Sequence, residues 1–137
     1  MTDVEALLTR HEGCRAVPYQ DTRGNWTIGV GHLLSRPLSQ RVIDLILAED
    51  VAEATNECVH AFPWFADLTQ ARQDVLVCLC FNLGLTRLLK FHKCLTAMEG
   101  GQYETAASEL LSSLWAQQVG PTRRNELAAL IRGSEYV

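Results

Sequence analysis

The chain has 137 residues, 47% of them hydrophobic, which suits one domain with a sizeable core and argues against a disordered or low-complexity protein. Its formal net charge of −4 gives no global attraction to nucleic acid, anionic lipid or the bacterial wall, so any basic contact must be local, as at Arg10 and Arg15 or at Arg123 and Arg124. Acids stand at Asp3 and Glu5 where a cleavable leader would be basic, and no apolar run is long enough to span a bilayer, so a soluble protein without membrane insertion is expected.

The first element reads as an amphipathic helix. Val4, Leu7, Leu8 and His11 form its apolar stripe, Thr2 and Glu5 have the spacing of a capping box, and Gly13 is the stop. Glu12 therefore lies on the last turn, where unpaired carbonyls disfavour a second negative charge and bias its carboxyl towards keeping a proton, as a general acid requires. Downstream, Asp21-Thr22-Arg23-Gly24-Asn25 is a turn sequence, and Trp26 to Val30 reads as the strand that completes a hairpin. Asp21, before the turn, is more solvated and should stay ionised. Two acids in unlike environments suit hydrolysis of a glycosidic bond.

Helix signals resume at Ser39 as N-cap, with Leu38 and Ile43 placed as a hydrophobic staple. Val42, Ile43, Ile46, Leu47 and Val51 supply an apolar stripe, and the helix runs to about Val59. Phe62-Pro63-Trp64-Phe65 interrupts the pattern because proline cannot continue it. The aromatic cluster is read as a hydrophobic corner in preference to a sugar-stacking platform. Thr69 caps a run from Val75 to Phe81 that is apolar nearly all round, as a centrally buried helix is, and Gly84 closes it. Shorter helices are expected over Leu88–Glu99 and Tyr103–Trp115, broken at Gly100-Gly101, and Pro121 and Gly133 frame the last one.

Cys14, Cys58, Cys78, Cys80 and Cys94 form no regular framework, and they read as small buried apolar residues of a protein made in a reducing compartment. His32 reads as a structural histidine hydrogen-bonded to an acid or carbonyl. With no HExxH and no cysteine–histidine cluster, neither a metal nor a cofactor is expected.

Glu12, then eight residues, Asp21, then five, Thr27, set within His11-Glu12-Gly13 and Thr27-Ile28-Gly29-Val30-Gly31-His32, resembles the phage-type lysozymes, glycoside hydrolase family 24. The resemblance continues through Phe81 to Gly84, Phe91 to Leu95, Gly100 to Tyr103 and Gly120 to Glu126. The family's insertion between hairpin and helix is shortened here. The resemblance implies a mostly helical α+β fold with a hairpin lobe over about 13–35, a helical lobe from 1–12 and about 60–137, a joining helix over about 39–59, and a cleft between the lobes. It implies a muramidase, a phage endolysin, cutting the β-1,4 bond between N-acetylmuramic acid and N-acetylglucosamine in peptidoglycan.

In that reading Glu12 protonates the leaving oxygen, while Asp21 and Thr27 position and activate water with inversion, for which the carboxyls stand about 6.5–9.5 Å apart. Gly31, Leu33 and Phe81 would bind substrate, and Arg123 would lie near Glu12. The chain would act as a monomer, without nucleic acid, and wait in the host cytoplasm for a holin to open the membrane. A lytic transglycosylase, or a non-catalytic wall-binding or virion-structural module, is the alternative.

Overall fold

In a computed structural model that describes residues 1–134, helix α1 (Asp3–Glu12) starts as its sequence predicts. The Thr2 hydroxyl accepts from the Glu5 N–H at 3.2 Å while the Glu5 carboxylate accepts from the Thr2 N–H and hydroxyl, a reciprocal cap worth about 1 kcal/mol. The chain leaves α1 at Gly13 with φ +74°, a conformation only glycine adopts at low cost.

Three strands follow: β1 (Arg15–Gln20), β2 (Trp26–Gly29) and β3 (His32–Leu33), antiparallel in that order with β2 central. Tyr19 pairs with Thr27 and Gln20 with Trp26, but Arg15 pairs with Gly29, so four steps along β1 face two along β2. Pro18 lies in this irregular stretch, where its missing N–H breaks no regular ladder. β3 is an addition to the expected two-stranded hairpin. It is two residues long, pairing Leu33 with Thr27 and His32 with Ile28, too short to show an alternating pattern.

Helix α2 (Gln40–Ala61) begins where expected, with the Ser39 hydroxyl accepting from the Val42 N–H. It buries Ala54 and Cys58, while Val42, Ile43, Ile46, Leu47 and Val51 are exposed. The chain divides into two compact units, Met1–Asp44 and Leu45–Val137. In the first, Thr27 is the buried residue among those described, so backbone pairing and caps hold the sheet.

The second unit carries the apolar core. Phe62 and Phe65 are buried, and the Phe62 and Trp64 rings lie 5.0 Å apart, so the aromatic cluster is a hydrophobic corner. Helix α3 (Gln70–Leu83) buries Val75, Leu76, Leu79 and Cys80 but leaves Cys78 and Phe81 exposed. It is followed by α4 (Leu85–Leu88), α5 (His92–Glu99), α6 (Tyr103–Leu111), α7 (Leu114–Val119) and α8 (Pro121–Arg132). α6 packs against α5 and α8, and α3 packs against α8. The Arg72 guanidinium ties α3 to α8 by donating to the Ile131 carbonyl at 2.7 Å, while stacking 3.4 Å above the Tyr103 ring.

Two expected helices differ in extent. Leu88–Glu99 shortens to α5, because α4 ends at Leu88 and the chain turns at Leu89–Phe91 before His92. Tyr103–Trp115 becomes α6 and α7, because the Ser113 hydroxyl donates to the Leu110 carbonyl at 2.6 Å and accepts from the Ala116 N–H, closing one helix and capping the next. The cysteine expectation also needs correction: Cys58, Cys80 and Cys94 are buried, but Cys14 and Cys78 are exposed. Burial pushes the Cys58 thiol up to about 12, and the Cys80 thiol adds to that shift.

Candidate functional site

Glu12 is the last residue of α1 and is exposed. Its carboxyl group lies against Gly31, in the turn between β2 and β3. A Cβ at Gly31 would stand 3.2 Å from Glu12 Oε2 and 3.3 Å from its Cδ and Cγ, and Gly31 itself has φ +65°. Two local requirements thus call for glycine here, the backbone conformation and the room for the carboxyl group. Glycine spacing drew attention to this turn in the sequence, but the carboxyl group it accommodates lies nineteen residues away and was not legible there.

Asp21 sits at the start of the β1–β2 turn and organises it. Its Oδ1 accepts from the Arg23 and Asn25 N–H groups, both at 2.8 Å, and its Oδ2 receives only a longer contact of 3.4 Å from Asn25 Nδ2. The Asn25 backbone hydrogen bond is the main cause holding this carboxyl below the usual aspartate range; desolvation opposes it, and the Arg23 backbone hydrogen bond and charge support it. The expectation of an ionised Asp21 therefore acquires a cause: donors fixed by the turn. One oxygen is spent on the turn and the other is available.

Thr27 is 3% exposed, and its hydroxyl donates to the Tyr19 carbonyl at 3.0 Å. Cross-strand partners share a face of a sheet, so Tyr19, Thr27 and Leu33 form one row across β1, β2 and β3. Asp21 follows two residues after Tyr19, the period that keeps a side chain on the same face. Glu12, Asp21, Thr27, Gly31 and Leu33 all belong to the first unit.

Phe81 and Arg123 belong to the second. There Phe81, half-exposed, lines a cavity of about 440 Å³ with Asn82, Trp115, Arg123 and Leu127. Asn82 Oδ1 accepts from the Trp115 indole N–H at 2.8 Å. The hydrogen bond expected at His32 is missing from Nε2, which is buried without a partner among the described residues; the ring is placed by the pairing of β3 with Ile28. Among the described residues no three His, Cys, Asp or Glu side chains cluster closely enough to hold a metal ion, and no helix is long and apolar enough to cross a membrane.

A family model described as phage lysozyme matches residues 9–134. The chain is 29% identical over 133 residues to an endolysin of Acyrthosiphon pisum secondary endosymbiont phage 1, covering 92% of this chain and 86% of that protein. It is 24% identical over 161 residues to a Dictyostelium discoideum protein named "Probable T4-type lysozyme 1", covering 96% of this chain and 94% of the other. A third similarity, 29% over 141 residues, is to the pre-baseplate central spike protein Gp5 of Enterobacteria phage T4, of which it covers 24%.

Proposed function

We propose that this chain, which belongs to the phage lysozyme family, is an endolysin-type muramidase that hydrolyses the β-1,4 bond between N-acetylmuramic acid and N-acetylglucosamine in bacterial peptidoglycan. The observation that carries the reading is the family match across residues 9–134, which takes in both acids and the sheet that holds one of them. The finer assignment is to glycoside hydrolase family 24, with inversion.

Glu12 delivers a proton to the leaving oxygen, which needs an acid at the reacting bond and nothing else from the protein at that atom. Asp21 Oδ2 accepts one hydrogen of the attacking water, a role supported by the turn that fixes Oδ1 and leaves its partner available. The Thr27 hydrogen is committed to the Tyr19 carbonyl, so its oxygen meets the same water only as an acceptor. A water whose two hydrogens point at Asp21 and Thr27 turns a lone pair towards the anomeric carbon. Gly31, Leu33 and Phe81 are assigned to the sugar chain. The chain acts as a monomer, without cofactor, and is held in the host cytoplasm until a holin opens the membrane.

The test is product analysis on purified peptidoglycan. Hydrolysis adds the mass of water at each cut, and inversion makes the first-formed reducing end the α-anomer by NMR. A 1,6-anhydro product would replace the reading with a transglycosylase, a first-formed β-anomer would remove inversion, and no cleavage at all would leave a binding module.

Gly31→Ala tests the support beneath the acid. The left-handed backbone costs an alanine about 1 kcal/mol, and the new methyl group displaces the Glu12 carboxyl by a few tenths of an ångström. The expected result is an unfolding free energy in urea lowered by about 1 kcal/mol and lysis slowed about tenfold. Unchanged activity would show that Glu12 tolerates the shift.

A further inference from the structure

We propose that Arg87, Lys90, His92 and Lys93 form an electrostatic docking surface for the carboxylate-bearing peptide stems of peptidoglycan, an inference that rests on the muramidase reading. Lys90 and Lys93 are the only lysines in the chain, and Arg87 lies three residues before Lys90. From Val75 to Met98 there is no acidic residue, although the chain as a whole carries a net charge of −4. All four side chains are exposed. Among the described residues none of the three permanent cations has an ion-pair partner; the salt bridge of this unit joins Arg132 to Glu104.

Arg87 lies in α4, Lys90 in the link, and His92 and Lys93 open α5. Lys93 stands at the positive end of the α5 dipole, and Phe91 supplies no side-chain cap, so this placement works against helix stability. Charge kept unpaired against a local rule is what a binding surface looks like. Lys90, Phe91, His92, Lys93 and Glu109 line a shallow cavity of about 440 Å³, so the two lysines edge a concave surface with one carboxylate on its rim, and Arg87 lies one helical turn before Lys90 in sequence. Glu109 reduces the positive potential without pairing with any of the three. Peptidoglycan presents stem-peptide carboxylates at each repeat of the strand to be cut, so this surface would bring an acidic chain to an acidic substrate that otherwise repels it.

The measurement is co-sedimentation with purified peptidoglycan stripped of phosphate polymers, using Glu12→Gln protein so that the wall is not consumed. The triple change Arg87→Gln, Lys90→Gln and Lys93→Gln should weaken binding about tenfold at low salt and flatten its salt dependence. Arg87→Lys with Lys90→Arg and Lys93→Arg keeps the charge and should keep the binding. Amidating the wall carboxylates should weaken the parent by the same factor and leave the neutralised protein unaffected.

Equal binding by the neutralised and parent proteins overturns the proposal. So does binding that needs retained phosphate polymers and ignores amidation. Circular dichroism checks the fold, and single Lys90→Gln and Lys93→Gln changes, each expected to cost about twofold, keep the test if the triple variant fails to fold. Failure of the muramidase reading is seen separately: protein with Glu12 intact would leave the same wall uncut, whereas failure of the docking surface leaves cutting in place and binding insensitive to charge.

Discussion

Glu12→Gln is expected to slow wall lysis by at least about a thousandfold, the upper range for loss of a general acid. Glutamine has nearly the same shape as glutamate, so it fits the space beside Gly31 that the carboxyl occupies, and it keeps every helical bond at the end of α1. It has no proton to give. Because the side chain is exposed and takes no part in the buried core, the thermal midpoint should move little, by the equivalent of about 0.5 kcal/mol or less. Turbidity of permeabilised cells and released muropeptides give the rate, and mass spectrometry excludes residual wild-type protein. Substantial activity in the verified variant would remove Glu12 from the mechanism.

The parts of this chain that were legible in the sequence are those governed by neighbours. Thr2 and Glu5, three residues apart, form their capping box; Gly13 and Gly133 end helices; Thr69 caps α3 and Pro121 opens α8. Each depends on the backbone within one turn. The acidic turn was equally local, since Asp21 bonds to Arg23 and Asn25. What escaped depends on segments that meet later. β3 is two residues that become a strand only because β2 lies beside them. The Ser112-Ser113 pair could have marked the break between α6 and α7, because serine is a favoured N-cap, yet the apolar residues on both sides continued the helical pattern.

The cysteines show the same limit. Composition suggested five buried thiols, and the structure buries three, because Cys78 lies on the face of α3 opposite Leu76 and Cys80 and Cys14 lies in an exposed link. A helix apolar nearly all round tells how much of it is greasy, not which side meets a neighbour. For the site, the acid pair and its spacing were visible, whereas Gly31 beneath Glu12 and the Tyr19 carbonyl beneath Thr27 required the fold.

Asp21→Asn is expected to cost at least about a hundredfold in activity with the turn intact. An asparagine Oδ1 can still accept from the Arg23 and Asn25 N–H groups, so the two short bonds of the turn are kept, but Nδ2 now stands where Oδ2 stood and the longer bond from Asn25 Nδ2 is lost. That nitrogen donates and cannot take a hydrogen from the attacking water, and the negative charge that favours proton removal is gone. The pH profile separates these effects. In the wild type the Asn25 N–H holds the Asp21 carboxyl below its ordinary value of 3.8, so Asp21 stays ionised throughout the neutral range. The two proteins should therefore differ by a constant factor between about pH 5 and pH 8. A depressed folded-state pKa also adds stability that is present above the unfolded value and is lost as pH falls through the folded one. Asparagine lacks that step, so the stability gap between the proteins should narrow only in acid, below the usual aspartate range. Rates are read from muropeptide release and stabilities from urea unfolding at each pH. A gap in activity that closes near neutral pH would mean that a different group activates the water.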